Sequence, residues 1–300
     1  MLSRRHKLIL LKFFSMLSVV RGYNILIIVI AQYLTSIYIL AYNKPLSQVL
    51  FDVNLFMLVL ASAAAIAGGY IINNFYDSEK DLINRPIKSR LDRLVSQNTK
   101  LSFYFVLNFA AVIMASYVSF RAVIFFSVYI FGIWFYSHKL KRLPFIGNLV
   151  SAILTITPFF AIFMYYKNFE QVIFVHAVFL FLMISMRELT KDLENIKGDF
   201  VQGYKTIPVV YGEKYSKLML TVLAITTLIP AYLLLFYFEV GYMFLFFYMS
   251  LILLIMFLIL LWKSTTKVQY LILHNILKFI ILAGVFSILL IDVSVILNRI

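Results

Sequence analysis

Nine apolar runs, each long enough to cross a bilayer, occupy most of this 300-residue sequence. They lie near residues 23–41, 54–72, 101–118, 122–137, 146–166, 171–186, 218–238, 242–262 and 271–297. A helix needs about 20 apolar residues to traverse the hydrocarbon core. Inside lipid the backbone must satisfy its own hydrogen bonds, which leaves helices and closed barrels as the choices. Runs of this length predict helices. The expected fold is therefore all-α, a polytopic membrane bundle of about nine transmembrane helices around a central apolar cavity opening near the cytoplasmic interface. The fourth and sixth runs are the shortest, and the fourth is expected to extend beyond its window. Composition agrees, with 63% hydrophobic and 13% charged residues, where a soluble domain is nearer half apolar and a quarter charged. No Gly/Ser- or Pro-rich linker divides the chain, so residues 1–300 read as a single domain.

The net charge of +14 does not indicate a nucleic-acid binder, because the basic residues sit in separate loops between spans. Of 27 Lys and Arg, 22 fall on one side: the N-terminal segment, the loop Lys80–Lys100, Lys139–Arg142, Arg187–Lys217, and Lys263 with Lys267. Lys44, Arg121, Lys167 and Arg299 fall on the other, and Lys278 lies within the ninth run. The positive-inside rule then places the N-terminus and the long polar loops in the cytoplasm of a multi-pass cell-membrane protein. Residues 1–20 read as an amphipathic cytoplasmic lead-in rather than a cleaved signal peptide, since Lys12 interrupts the apolar stretch. The absence of cysteine excludes thiolate metal sites, disulfides and Cys nucleophiles. The four histidines show no ligand spacing, so a metal site here would use oxygen ligands.

Nine of the 13 acidic residues fall in two stretches, each where an apolar run meets the cytoplasmic side. In the first, Asn73, Asp77 and Asp81 recur every four residues. On a continuing helix they form one stripe, successive members about 6 Å apart along the axis, and Pro86 is expected to end it. In the second, Asp192, Asn195 and Asp199 are spaced three and four and share one helical face. Gly198 is expected to let the backbone turn. Two such stripes facing one another would gather about four carboxylates, which is unfavourable without cations. A divalent ion carrying a diphosphate resolves the conflict, and oxygen-only ligands favour Mg²⁺. Arg85, Lys141, Lys191 and Lys205 are placed to hold the remaining phosphate charge. The competing reading is that these acids pair with nearby Lys and Arg as solvated loop charge. The repetition of the pattern at two helix ends argues against it.

The sequence resembles the UbiA superfamily of intramembrane prenyltransferases. Asn73–Asp81 with Asn84-Arg85-Pro86 is similar to the family's first acidic motif, and Asp192–Asp199 to its second. Arg21–Asn24, Tyr136–Lys141 with Pro144 and Gly147-Asn148, and Gly203–Pro208 match further family segments, so the resemblance covers about residues 20–290. Asn74 and Asn195 stand where the family has Asp, which keeps an oxygen and removes a charge. The run Arg187-Glu188-x-x-Lys191-Asp192-x-Glu194 looks most like the digeranylgeranylglyceryl phosphate synthase branch. The resemblance implies an Mg²⁺-dependent transferase that moves a prenyl group from an isoprenoid diphosphate to a lipophilic acceptor, such as a prenylglycerol phosphate. It implies Asp77, Asp81, Asp192 and Asp199 as catalytic metal ligands, with Asn73 and Asn195 as further oxygen ligands. Asn24, Asn74, Arg85, Tyr136, Lys141, Arg187, Lys191 and Lys205 are the implied substrate-binding residues. For Tyr136 a place in the interfacial aromatic belt is weighed more heavily. His274 is expected to be interfacial, and Lys278 either to snorkel or to line the chamber. Prenylation of a quinone precursor or other aromatic acceptor is the alternative within the family. A multi-pass transporter is the alternative outside it, though it would place its charges near the midplane in broken helices. A phosphatidyltransferase of the CDP-alcohol type would need an Asp-Gly pair, and none occurs.

Overall fold

The computed structural model describes residues 4–292. Arg299, the end of the ninth run, and the side chains of Arg4, Arg5 and Lys7 lie outside the described residues. The lead-in forms α1 (Arg4–Val20), and the first span is α2 (Gly22–Thr35), ending in a π-turn over Ser36–Leu40. The short α3 (Leu46–Leu50) precedes α4 (Val53–Tyr76), which is followed by α5 (Ser78–Asn84) and α6 (Pro86–Asp92). The remaining helices are α7 (Gln97–Val118), α8 (Phe120–His138), α9 (Ile146–Tyr166), α10 (Gln171–Val201), α11 (Ile207–Phe236), α12 (Phe244–Lys263) and α13 (Lys267–Ser287). Among the described residues there is no strand, and nine segments are long and apolar enough to cross a membrane. The chain is therefore an all-α multi-pass membrane protein.

Most helix ends fall within a few residues of the apolar runs, and α9 coincides with its run. Three differ more. The sixth span continues past residue 186 to Val201, the seventh begins at Ile207, and α13 of the ninth span ends at Ser287. Apolar length sets where a helix leaves the hydrocarbon, whereas the helix itself lasts as long as its backbone bonds and polar partners support it. A left-handed Gly212 (φ 84°) kinks α11 before its apolar part.

Two helices organise the bundle. The small-residue run Ala61–Gly69 of α4 lets α7 and α8 approach closely, as small residues do between helices in lipid. Leu58, Ala61 and Ala65 pack with Ala111, Ala115, Phe126 and Tyr129. In the other half, Met183, Met186, Leu189 and Leu193 of α10 pack against Leu220, Phe257, Leu261 and Leu277. Buried Gln32 joins the halves, donating to Ser62 Oγ (3.1 Å) and to the Pro158 carbonyl (3.0 Å). Large apolar side chains such as Phe109, Ile229 and Ile252 point outward, as a lipid-facing wall requires. On α1, Leu10, Leu11, Phe13 and Phe14 are exposed, while Ser15 and Ser18 bind Leu91 and Asp92 beside α6.

An apolar cavity of about 160 Å³ lies among α2, α9, α10, α12 and α13, with Phe163, Phe174, Phe179, Met183, Phe246 and Phe247 in its wall. It occupies the half of the bundle remote from the acidic stripes, deeper than the interface where a mouth was expected. Met183 precedes Asp192 by nine positions, roughly 13 Å of helix.

Candidate active site

The first stripe keeps helical backbone bonding through the junction of α4 and α5. Asp77 N–H donates to the Asn73 carbonyl (2.9 Å), Asp81 N–H to Asp77 (2.8 Å), and Arg85 N–H to Asp81 (2.8 Å). Only Asp77 itself departs slightly from helical geometry (φ −92°, ψ 3°), and Pro86 ends the run as expected. The second stripe lies in the last turns of α10. Gly198 does not turn the chain, because helix continues through it to Val201. Its missing Cβ instead admits the side chain of Asn84, which would occupy that space. Lys267 Nζ donates to the Asn84 carbonyl (2.6 Å), so α5 is pinned between α10 and the start of α13.

This close approach brings the stripes together. Lys80 Nζ lies 3.5 Å from Asp77 Oδ1 and 3.3 Å from Asp199 Oδ1. Lys141 Nζ donates to Asp77 Oδ1 (2.8 Å) and to Asn73 Oδ1 (3.2 Å). Tyr204 O–H donates to the same Asp77 oxygen (3.0 Å), and Thr206 O–H reaches Asp199 Oδ2 (3.4 Å). Gly203, at φ 67°, makes the tight turn after α10 that presents Tyr204. The Lys205 N–H then ties this turn to the Arg142 carbonyl (2.9 Å). On α10, Asp192 Oδ2 accepts from Asn148 (2.8 Å), while Asn195 donates to the Lys191 carbonyl (2.7 Å).

Burial works against the Asp77 carboxylate, but Lys80, Lys141 and the hydrogen bonds from Lys141 and Tyr204 outweigh it and hold its pKa at about 2. Burial likewise opposes the Lys80 charge, and Asp77 and Asp199 more than restore it, raising its pKa. Lys141 is pulled down by burial to about 8 in spite of Asp77, so its ammonium remains mostly charged at neutral pH. Asp81 is raised, first by burial and then by Asp77.

The oxygen set suits a divalent ion only when a ligand completes it. Among the described residues no three carboxylate or imidazole side chains converge closely enough to enclose a metal. Yet Asn195 Oδ1 is buried and has no hydrogen-bond partner among the described residues. Asp81 and Asp192 carry no ion pair within 4.0 Å among them. Available carboxylate and amide oxygens of this kind fit Mg²⁺, which commonly takes one or two carboxylates plus phosphate oxygens.

The other predicted residues divide. Tyr136 bonds Ser151 and lies within electrostatic reach of Lys191, Glu188 and Asp192, so it faces the polar interior rather than the aromatic belt. Glu188 pairs with Arg187 (2.5 Å) and with Lys191, and Arg85 pairs with Glu194 (3.4 Å). Asn24 donates to Tyr70 O–H (3.1 Å), beside the Arg21 guanidinium over the Tyr70 ring. Three expectations are corrected by geometry. Asn74 projects away from Asn73, as adjacent residues on a helix do, and enters a separate buried network. There it accepts from Lys100 (2.9 Å) and donates to Asp92 (3.1 Å), which also binds Lys88 and Ser18. The Lys205 side chain is exposed, because the turn directs its neighbour Tyr204 inward. His274 is buried rather than interfacial and meets Glu194 at 2.8 Å. Sequence alone does not single out Lys80 or Tyr204, although Lys80 stands inside the first motif and Tyr204 inside the Gly203–Pro208 segment.

The nine spans of the described residues, with two oxygen-rich stripes meeting at one end, define a polytopic membrane protein with a polar, cation-lined site at the edge of an apolar bundle. The UbiA prenyltransferase family model matches residues 29–271, and the chain belongs to that family. A digeranylgeranylglyceryl phosphate synthase from Thermococcus sibiricus is 37% identical over 166 residues, covering 55% of this chain and 59% of that protein. One from Methanobrevibacter smithii is 33% identical over 182 residues, covering 56% and 62%. The chain thus spans about three fifths of the length of these relatives. Among solved structures, a digeranylgeranylglyceryl phosphate synthase superposes with a TM-score of 0.70 at 22% identity, over 92% of this chain and 97% of that one. A UbiA homolog from Archaeoglobus fulgidus, bound to GPP and Mg²⁺, superposes with a TM-score of 0.67 at 13% identity, over 91% and 99%. At these identities the likeness shows a shared fold.

Proposed function

We propose that this protein transfers a prenyl group from an isoprenoid diphosphate to a lipophilic acceptor, with Mg²⁺ and with the site at the cytoplasmic leaflet. The nine spans act as one domain in this reading. The observation that carries it is the meeting of Asp77 and Asp199, more than a hundred residues apart in sequence, on the single ammonium of Lys80. Asp77, Asp81, Asp192 and Asp199, with Asn73 and Asn195, are the oxygens that Mg²⁺ and the ammonium groups of Lys80 and Lys141 would share in orienting the diphosphate. Bound there, Mg²⁺ supplies neutralisation of the charge that develops on the leaving diphosphate. Lys141 and Lys80 add fixed positive charge at the same place. Tyr204 holds Asp77 in position, and Asn148 holds Asp192. The allylic C–O bond breaks with its electron pair leaving on the diphosphate, and the acceptor's nucleophilic atom bonds to that carbon and gives up its proton to the departing diphosphate. The ring of Tyr136 and the apolar bundle below exclude water from that carbon. The cavity lined by Phe163, Phe179 and Phe246 lies in line to take an isoprenoid tail.

The relatives' names favour a phosphorylated glycerol lipid as acceptor, and the charge balance supports an anion. Lys278 lies within electrostatic reach of Arg187, Arg85 and Arg21, with Glu194 opposing, and makes no ion pair within 4.0 Å among the described residues. The cytoplasmic assignment rests on the 22 basic residues of the motif side. The test is transfer of a labelled geranylgeranyl group in membranes, with a prenylglycerol phosphate and an aromatic acid offered as competing acceptors. Product on the glycerol lipid that disappears with EDTA and returns with Mg²⁺ is expected. EDTA-resistant transfer would remove the metal from the mechanism, and product on the aromatic acid alone would move the chain to the other branch.

A further inference from the structure

We propose that Lys80 is a resident cation between the two stripes, so that the site takes one divalent ion, on the Asp192–Asn195 side, and uses the lysine ammonium as its second positive centre. The proposal rests on the transferase reading above and assigns how this chain's own residues divide the diphosphate charge.

Three observations carry it. First, the ammonium occupies the place where a bridging ion would have to sit. It lies 3.5 Å from Asp77 and 3.3 Å from Asp199, and Mg²⁺ would need oxygens at about 2.0–2.1 Å. An ion could enter between these carboxylates only after Lys80 left. Second, the lysine is held. Tyr204 presents its ring face 4.5 Å from Nζ, and α5 is fixed at its far end by Lys267 on the Asn84 carbonyl and by the contact of Asn84 with Gly198. Third, apart from Asp81 on α5, the site oxygens that meet no cation lie together on α10. Lys141 further neutralises Asp77, and the middle position of the α10 stripe is the neutral Asn195. Asp192, with one oxygen bound by Asn148, and Asn195, with its buried Oδ1 unpartnered among the described residues, are left together one helical turn apart.

A lysine ammonium binds phosphate as a compact point charge with three donors. Unlike a metal ion, it is not removed by a chelator. The full-length protein in detergent should therefore retain weak binding of an unreactive geranylgeranyl thiolodiphosphate in EDTA. With that analogue and Mn²⁺ as probes, wild type should bind one Mn²⁺ per chain. Lys80→Gln, which frees Asp77 and Asp199, should bind two, and its affinity for the analogue in EDTA should fall about tenfold, the loss expected for one charge-assisted contact. Lys80→Arg should keep one Mn²⁺ and most of the chelator-resistant affinity, which separates charge from folding. Two Mn²⁺ ions in wild type with the analogue bound, or an unchanged affinity of Lys80→Gln in EDTA, overturns the lysine assignment and leaves prenyl transfer standing. A wild-type protein that binds the analogue neither with Mn²⁺ nor without it overturns both.

Discussion

Asn148 carries no charge, yet it orients a group that does. Its amide donates to Asp192 at 2.8 Å, and supporting residues of this kind typically change metal affinity by about 10–100-fold when removed. Asn148→Ala is expected to weaken Mn²⁺ binding within that range, measured by competition with a fluorescent chelator, while the melting temperature in detergent hardly moves. Asp77 is more deeply embedded, since Lys80, Lys141 and Tyr204 all bind it. Deleting the side chain would leave buried cations unpaired, a cost of about 3–5 kcal/mol, so Asp77→Asn is the cleaner variant. It keeps the shape and one oxygen and removes the charge. Transfer of the labelled prenyl group should fall about a hundredfold or more, and near-wild-type transfer would remove Asp77 from the site.

At the scale of elements, the geometry depends on how closely α5 lies against α10. Gly198 sets that distance. An alanine there gains up to about 1 kcal/mol of helix propensity but drives its methyl into the buried Asn84 side chain. Overpacking of this kind costs about 1–3 kcal/mol, so the clash should win. Gly198→Ala is expected to lower the melting temperature and reduce transfer by separating Lys80 from Asp199. Adding Asn84→Ala to it should recover part of the stability, because the pair are in contact and their effects should not add. Strict additivity in that double-mutant cycle would show that the two do not touch. The α10–α11 turn matters in the same way. Its tight turn at Gly203 sends Tyr204, and not Lys205, onto Asp77.

The molecule as a whole can be oriented by experiment because the chain has no cysteine. Arg90 and Asn43 are exposed at opposite ends of the bundle, in α6 and in the turn before α3. In intact cells, Asn43→Cys should react with an impermeant maleimide, and Arg90→Cys only after permeabilisation. The reverse pattern would invert the protein and move the site to the outer leaflet. The same orientation places the apolar cavity toward the outer leaflet, below the polar site. A prenyl tail would then run across the bilayer from its diphosphate.

The apolar runs, the side their charges predict and the two acidic stripes are properties of one dimension. Apolar length, charge distribution and a period of four survive without knowledge of any neighbour, and all can be read along the sequence. Asn73 and Asn74 show where that reading ends. They are chemically identical and adjacent, yet they point about 100° apart on the helix, one to Lys141 and the other to Lys100. Tyr204 finds Asp77 across 127 residues, and His274 finds Glu194 across 80. Such partners depend on which helices pack and how closely, and packing is decided by the shape of small-residue faces such as that of α4. That is why sequence placed the carboxylates, and only the tertiary structure put a lysine between them.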